Sequence, residues 1–361
     1  MGSERPSAKS SNWIAKAGIA ASLVIAVALA ASIGAGASSL SARGEPAARD
    51  AISAVVSSVS RLPGVLAYVS DSDFYGSGGK ETLATASPEG TRVRTLVSPA
   101  DVGFGLLAFS PSGGRLAYFR DSSSGASVDV MDLASRRVVT VLRLRGAKAY
   151  VDGLAWTPSG RALVVGSNER PGSSTTHSGY ALWRVPLTGG KPKGLTTYED
   201  AGDPVVLPDG DLVYIVSKTY SSTSSLRSSA VWTSRPSGTD PHRLFTSRHF
   251  VYTPAVSPDG RTLVLSVVLT DTTMHLESFT LATRRHKNLT PLVKGRSDVS
   301  PSFSPDGTEL VFLSSRAGRY ATTKAHQLLD AYVMTATGKN PKKVIARRGD
   351  KWSMVLVAWG A

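Results

Sequence analysis

The sequence predicts an all-β chain folded as a six-bladed β-propeller, preceded by one N-terminal hydrophobic helix. Two observations carry this. Five times a hydrophobic run ends in the same short phrase, Phe109-Ser-Pro-Ser-Gly113, Trp156-Thr-Pro-Ser-Gly160, Val206-Leu-Pro-Asp-Gly210, Val256-Ser-Pro-Asp-Gly260 and Phe303-Ser-Pro-Asp-Gly307. The prolines fall at 111, 158, 208, 258 and 305, a spacing of 47 to 50 residues, and self-similarity at that period marks a repeat architecture. The second observation is that the two ends of the repeat array hold complementary fragments of one further unit.

Each element follows from local chemistry. Proline fixes φ near the value a type I turn needs at its second position, Asp or Ser then bonds the local backbone, and glycine accepts a positive φ. β-rich runs flank each turn, as in Leu106–Phe109 and Arg115–Phe119, giving a hairpin from strand a to strand b. A second hairpin, strand c to strand d, follows in each unit. Its turns begin at Pro88, Leu133, Leu187, Pro236, Leu281 and Ala336. Four strands per unit at this period make a propeller blade. Near the N-terminus, Val65–Val69 and the stretch 81–97 supply strands b, c and d without a preceding a. The run Met354–Trp359 supplies a lone strand a. One blade is therefore expected to be built from both ends, closing the ring and leaving no open sheet edge. Phe109, Trp156, Phe303 and Trp359, which end strand a in their units, are expected in the interblade core.

The turn phrase, together with tails such as Tyr332-Val-Met-Thr-Ala-Thr-Gly-Lys-Asn-Pro-Lys-Lys-Val344 and Trp232-Thr-Ser-Arg-Pro-Ser-Gly-Thr-Asp-Pro-His-Arg-Leu244, resembles the WD40-like repeat of the TolB-like propellers (PD40). The resemblance covers roughly residues 62–361. It implies a propeller of four-stranded blades. Ahead of it lies a short linker, where TolB itself carries an α/β domain.

The organisation read from the sequence is a basic N-terminus (1–16), a hydrophobic segment (17–37), a linker (38–62) and the propeller (63–361). No charged residue occurs from Ala17 to Ala42, while Arg5, Lys9 and Lys16 precede that run. The positive-inside rule then puts the N-terminus in the cytoplasm and the propeller outside, with Trp13 as an interfacial anchor. The segment is long enough to span a membrane. Ala35-Gly-Ala37 also supplies a small-residue cleavage pattern, so an uncleaved anchor and a protein secreted after cleavage near Ala37 both stand. The chain has no cysteine, which excludes disulfides, thiolate metal sites and an acylated lipoprotein.

The formal charge is +14, from 41 Lys and Arg against 27 Asp and Glu. The first 50 residues contribute +2, leaving +12 on the propeller. A surface so basic favours polyanions, and the extracytoplasmic address argues against nucleic acid. The expected partner is an envelope protein or an anionic envelope polymer, bound by a monomer.

In a propeller the a–b and c–d turns share one face, and the b–c and d–a loops share the other. Here the first set is tight and the second long, which selects the second for binding. Its d–a connections carry Arg145, Lys148, Tyr150, Asp200, Arg248, His249, Arg296, Asp298, Arg347 and Trp352. These form the expected basic and aromatic mouth, since arginine forks onto carboxylate or phosphate and stacks on flat groups.

Signals for chemistry are weak. The six histidines show no i, i+4 pair and no carboxylate at ligand spacing, and Asp71-Ser-Asp73 lacks the rest of a calcium loop. There is no Gly-x-Ser-x-Gly, so no catalytic residue, metal or cofactor is assigned. The alternative to a binding scaffold is a hydrolase or lyase of anionic envelope polysaccharide at the channel mouth, and converging carboxylates with shifted pKa values would be its sign.

Overall fold

A computed structural model describes residues 64–72, 80–97, 102–122, 125–146, 148–173, 175–197, 200–219, 227–270, 273–315, 328–346 and 353–361. The segments 1–16, 17–37 and 38–62 lie outside the described residues, as do Arg347 and Trp352. No helix among the described residues is long and apolar enough to cross a membrane.

The described residues form 24 strands in six four-stranded antiparallel sheets. Blade 1 holds β1 (Val65–Asp71), β2 (Glu81–Ala86) and β3 (Arg94–Val97). Blade 2 is β4 (Val102–Phe109), β5 (Arg115–Ser122), β6 (Gly125–Asp132) and β7 (Val138–Arg143). Blade 3 is β8 (Val151–Trp156), β9 (Ala162–Glu169), β10 (Thr176–Pro186) and the two-residue β11 (Lys193–Gly194). Blade 4 is β12 (Ala201–Val206), β13 (Leu212–Thr219), β14 (Arg227–Ser234) and β15 (His242–Ser247). Blade 5 is β16 (Phe250–Val256), β17 (Thr262–Thr270), β18 (Thr273–Thr280) and β19 (Arg285–Asn288). Blade 6 is β20 (Asp298–Phe303), β21 (Glu309–Ser314), β22 (Asp330–Thr335) and β23 (Lys342–Ile345).

The final strand, β24 (Ser353–Gly360), pairs antiparallel with β1, from Val65↔Gly360 to Asp71↔Ser353, and so becomes the inner strand of blade 1. Each inner strand also packs against the inner strands of both neighbouring blades, which closes the ring. The expected split blade is thus present.

The turn chemistry works as the sequence predicts. In all five phrases the glycine N–H donates to the backbone carbonyl three residues earlier, for example Gly260 to Ser257 at 2.8 Å, and φ at the five glycines lies between 63° and 94°. The turns also interlock around the ring. A Cβ on Gly260 would sit 2.7 Å from Cδ of Pro208, and one on Gly307 3.0 Å from Cδ of Pro258. Each of these glycines therefore lets its turn seat against the proline of the preceding blade.

The core lies between blades. Phe109, Trp156, Phe303 and Trp359 are all buried. The Trp359 backbone N–H donates to Ser302 Oγ of blade 6 at 2.8 Å, so the closure strand is stitched to its neighbour as well as to β1.

One feature was not read from the sequence. Every inner strand breaks register near its start, between Gly105 and Leu107, Val151 and Gly153, Gly202 and Val205, Tyr252 and Ala255, Val299 and Ser302, and against Val69/Ser70 in the closure pair. Leu106, Asp203, Thr253 and Ser300 occupy these bulges with φ between 47° and 54°. In blades 4, 5 and 6 the bulged residue precedes a proline, Pro204, Pro254 and Pro301. Proline has no N–H to give a ladder, so it is tolerated at a position where pairing skips.

Candidate functional site

The face carrying the b–c and d–a loops is uneven. Blades 2 and 5 join strands b and c within a few residues, β5 to β6 across 122–125 and β17 to β18 across 270–273. In blades 1, 3, 4 and 6 the b–c connections are longer, the longest running between Ser314 and Asp330. Blades 2 and 5 are opposite each other in a six-membered ring, so the long connections fall in two groups, on blades 3 and 4 and on blades 6 and 1.

Between blades 3 and 4, where the inner strands begin, the structure gathers aspartates and tyrosines. Asp152 sits at the bulge of β8, Asp203 at the bulge of β12, and Asp200 just ahead of β12. Tyr150 precedes β8, Tyr180 lies in β10 and Tyr252 in β16. Tyr150 meets Tyr180 edge-on at 6.5 Å and Phe119 edge-on at 5.4 Å. The Tyr252 hydroxyl donates to Met274 Sδ at 3.0 Å.

Glycines make room for the carboxyl groups. A Cβ at Gly166 of β9 or Gly202 of β12 would overlap the Asp152 carboxyl oxygens, and one at Gly179 would come within 2.8 Å of Asp200 Oδ1. None of the three has a positive φ, so space rather than backbone conformation requires them. A glycine inside a strand often marks such a close approach.

The electrostatics follow from burial and like charge. Desolvation, and then the nearby Asp203 and Asp200, push the Asp152 carboxyl well above the usual carboxylate range. Burial alone pushes Asp200 up. Burial and the neighbouring aspartates likewise raise the Tyr150 and Tyr180 hydroxyls. Loss of water favours the neutral form of each acid, so the junction beneath the face is built of aspartates and tyrosines where the sequence suggested cations.

Of the residues expected at the mouth, Tyr150 and Asp200 belong to this cluster. Arg145, Lys148, Arg248 and His249 are exposed. The Arg145 and Gly146 backbone N–H groups are held by the buried Glu169 carboxylate at 2.7–3.1 Å. Arg296 does not stand free for a ligand. Its guanidinium pairs with the buried Asp298, which also accepts from Ser314 Oγ. That pair fastens the start of blade 6, because an ion pair within the fold satisfies both charges before any ligand arrives.

Asp152, Asp203 and Tyr180 were missed in the sequence. The available signals were the Asp-Gly step at 152–153, the Asp-Pro step at 203–204 and the non-turn glycines at 166, 179 and 202.

Two of the six histidines do meet a carboxylate. His275 is a buried strand residue, and both His275 and the half-exposed His286 converge on Glu277. Glu277 lies two residues after His275 in β18, and β19 pairs with β18 so that His286 lies opposite Phe279. Hydrogen bonding by His275, and then by His286, outweighs partial burial and holds the Glu277 carboxyl below its ordinary value. The His286 ring packs against Phe245 of blade 4 and Phe279 of blade 5 at 4.7–4.8 Å, so the trio ties two blades together. No group of His, Asp and Glu among the described residues is arranged to hold a metal ion.

Comparison with known proteins agrees with this architecture. The family model described as the TolB beta propeller domain (PD40) matches residues 63–356. TolB from Acinetobacter baumannii superposes with a TM-score of 0.64 at 17% identity, over 87% of this chain and 72% of that one. A protein assigned as TolB in Agrobacterium tumefaciens gives 0.58 at 15% identity, over 83% of this chain and 100% of that one. Hydrazine synthase of Kuenenia stuttgartiensis gives 0.61 at 12% identity, over 84% of this chain and 48% of that one. At these identities the likenesses establish the shared fold, which serves proteins of different function.

Proposed function

The chain belongs to the TolB beta propeller (PD40) family, and from that premise we propose that it is a non-catalytic binding scaffold whose partner docks on the face of the b–c and d–a loops. We place it at the cell membrane, anchored by residues 17–37, with the propeller outside the cytoplasm. Its partner is an envelope protein or an anionic envelope polymer.

The observation that carries this reading is the make-up of the mouth. Between blades 3 and 4 the Asp152 carboxyl and the Tyr150 hydroxyl are buried beneath this face, while Asp200 and the cations Arg145, Lys148, Arg248 and His249 are exposed on it. Exposed cations attract an acidic partner over distance. The exposed arginine and lysine side chains then donate hydrogen bonds at short range.

A second reading, a hydrolase or lyase, draws on the same convergence of carboxyl groups. Acid–base catalysis works through a pair whose pKa values are pushed apart, so that one group is protonated and the other ionised. The upward shifts of Asp152 and Asp200 are the sign this reading expects, with Asp152 as its candidate general acid.

The test uses the full-length chain, solubilised from membranes and passed over envelope extract at low and moderate salt. Retention of an acidic protein or polymer that fades with salt, and that falls when Arg145, Lys148 and Arg248 are changed together to Gln, is the expected result. Retention indifferent to those changes would refute the loop-face assignment. Shortening of an envelope polysaccharide that stops in Asp152→Asn would establish the enzymatic reading instead.

A further inference from the structure

A groove lies between the outer edge of blade 3 and blade 4. β11 is only two residues long, whereas the other outer strands run to four or six. The flank of blade 4 beyond it borders this groove of about 1150 Å³. Small-molecule sites span roughly 300–1,000 Å³, so this groove is large enough for a chain-like ligand.

Its lining is ordered along its length. Pro241 and Gly238 lie at the end near the turn face. Tyr214, Trp232 and Arg243 form one row across β13, β14 and β15 in the middle. Thr196, Thr197 and Ser217 continue toward Asp200, where the groove meets the loop face. Arg243 is exposed and Trp232 half-buried.

We propose that this groove binds a carboxylated glycan chain, with a uronate carboxylate on Arg243, a sugar ring over Trp232 and sugar hydroxyls on Thr196, Thr197 and Ser217. Three features select that chemistry. Arginine presents a planar fork that matches a carboxylate. An indole offers a flat apolar surface against which the C–H face of a pyranose can lie. Hydroxyl side chains both donate and accept, as sugar hydroxyls do. The groove meets the loop face at Asp200, but Arg243, Trp232 and Thr197 take no part in the Asp152 cluster.

The test is isothermal titration of the full-length chain in detergent with a glucuronic acid hexamer, and with cellohexaose as the uncharged counterpart. The acidic hexamer is expected to bind at least ten-fold more tightly than cellohexaose. Arg243→Gln and Thr197→Trp, both at exposed positions, should each weaken it about ten-fold without lowering the melting temperature. Arg137→Gln, at an exposed arginine on blade 2, should leave it unchanged and so controls for the basic surface as a whole. Absence of binding overturns the proposal, as does equal affinity for the two hexamers or equal loss in Arg137→Gln. Loss in an Arg145→Gln, Arg248→Gln variant with none in Arg243→Gln would transfer the glycan to the loop face and overturn the groove assignment while sparing the proposed function.

Discussion

The indole N–H of Trp156 donates to the backbone carbonyl of Ala108 at 2.8 Å, so the inner strand of blade 3 is hydrogen-bonded through a side chain to that of blade 2. Arg115 of blade 2 completes the junction. Its guanidinium lies 4.9 Å from the Trp156 ring centroid, and Nη2 donates to the Gly160 carbonyl at 2.9 Å. Trp156→Phe keeps most of the apolar volume but removes this interblade hydrogen bond, and should cost about 0.5–1.5 kcal/mol. Urea unfolding measures it. A change within error would show that the bond is dispensable.

Trp359 is fully buried in the closure strand. Trp359→Ala should cost about 3–5 kcal/mol from lost burial and the cavity left behind. The damage should concentrate at the closure, with amide exchange accelerating in β1 and β24 before other strands. A variant as stable as the parent would contradict the role assigned to this blade.

Asp152 provides a pH signature. Its folded pKa is raised above the unfolded value near 3.8, so the native state holds a proton that the unfolded state releases. Stability is therefore greatest below pH 3.8 as far as this group is concerned, and falls as pH rises toward the raised value, by at most about 1.4 kcal/mol per pH unit. Asp152→Asn, which stays neutral, should abolish that slope. The variant should match the parent near pH 4 and exceed it near pH 7, as read from melting temperatures across that range. Parallel pH profiles for the two proteins would mean that Asp152 is not held neutral.

Gly202 tests the packing around the same carboxyl. A Cβ there overlaps Asp152, so Gly202→Ala should lower stability by about 1–3 kcal/mol, in the range of overpacking. Pairing it with Asp152→Ala should recover much of the loss, because the clash partner is gone. Additive losses in the double variant, measured as a thermodynamic cycle, would show that the glycine serves some other purpose.

Much of the fold was legible because its determinants are local. Pro-Asp-Gly forms the same turn wherever it occurs, and the phrase ending at Gly307 yields the geometry of the one ending at Gly260. The closure blade was legible because Met354–Trp359 matches an inner strand and residues 65–97 lack one. The site was less so. Loop length identified the face, and the loop run gave Tyr150 and Asp200, but charge counting assigned the mouth to arginines. Arg296 is consumed by Asp298 two residues away, a pairing that strand geometry decides. Asp152 and Asp203 come from consecutive blades some 50 residues apart and meet only once the ring forms. Their visible trace was a set of glycines whose purpose lies on a neighbouring strand.

The pairing of β1 with β24 joins the first and last of the described strands, roughly 290 residues apart. During synthesis the other 23 strands emerge before β24 exists, so until then β1 keeps an unpaired edge and the inner surfaces of blades 2 and 6 lack their neighbour. Such an edge recruits foreign strands, and contacts this distant in sequence form slowly. The nascent ring is thus most open to misassembly just before its last strand arrives, and any factor that shelters β1 during folding would govern the yield of folded protein.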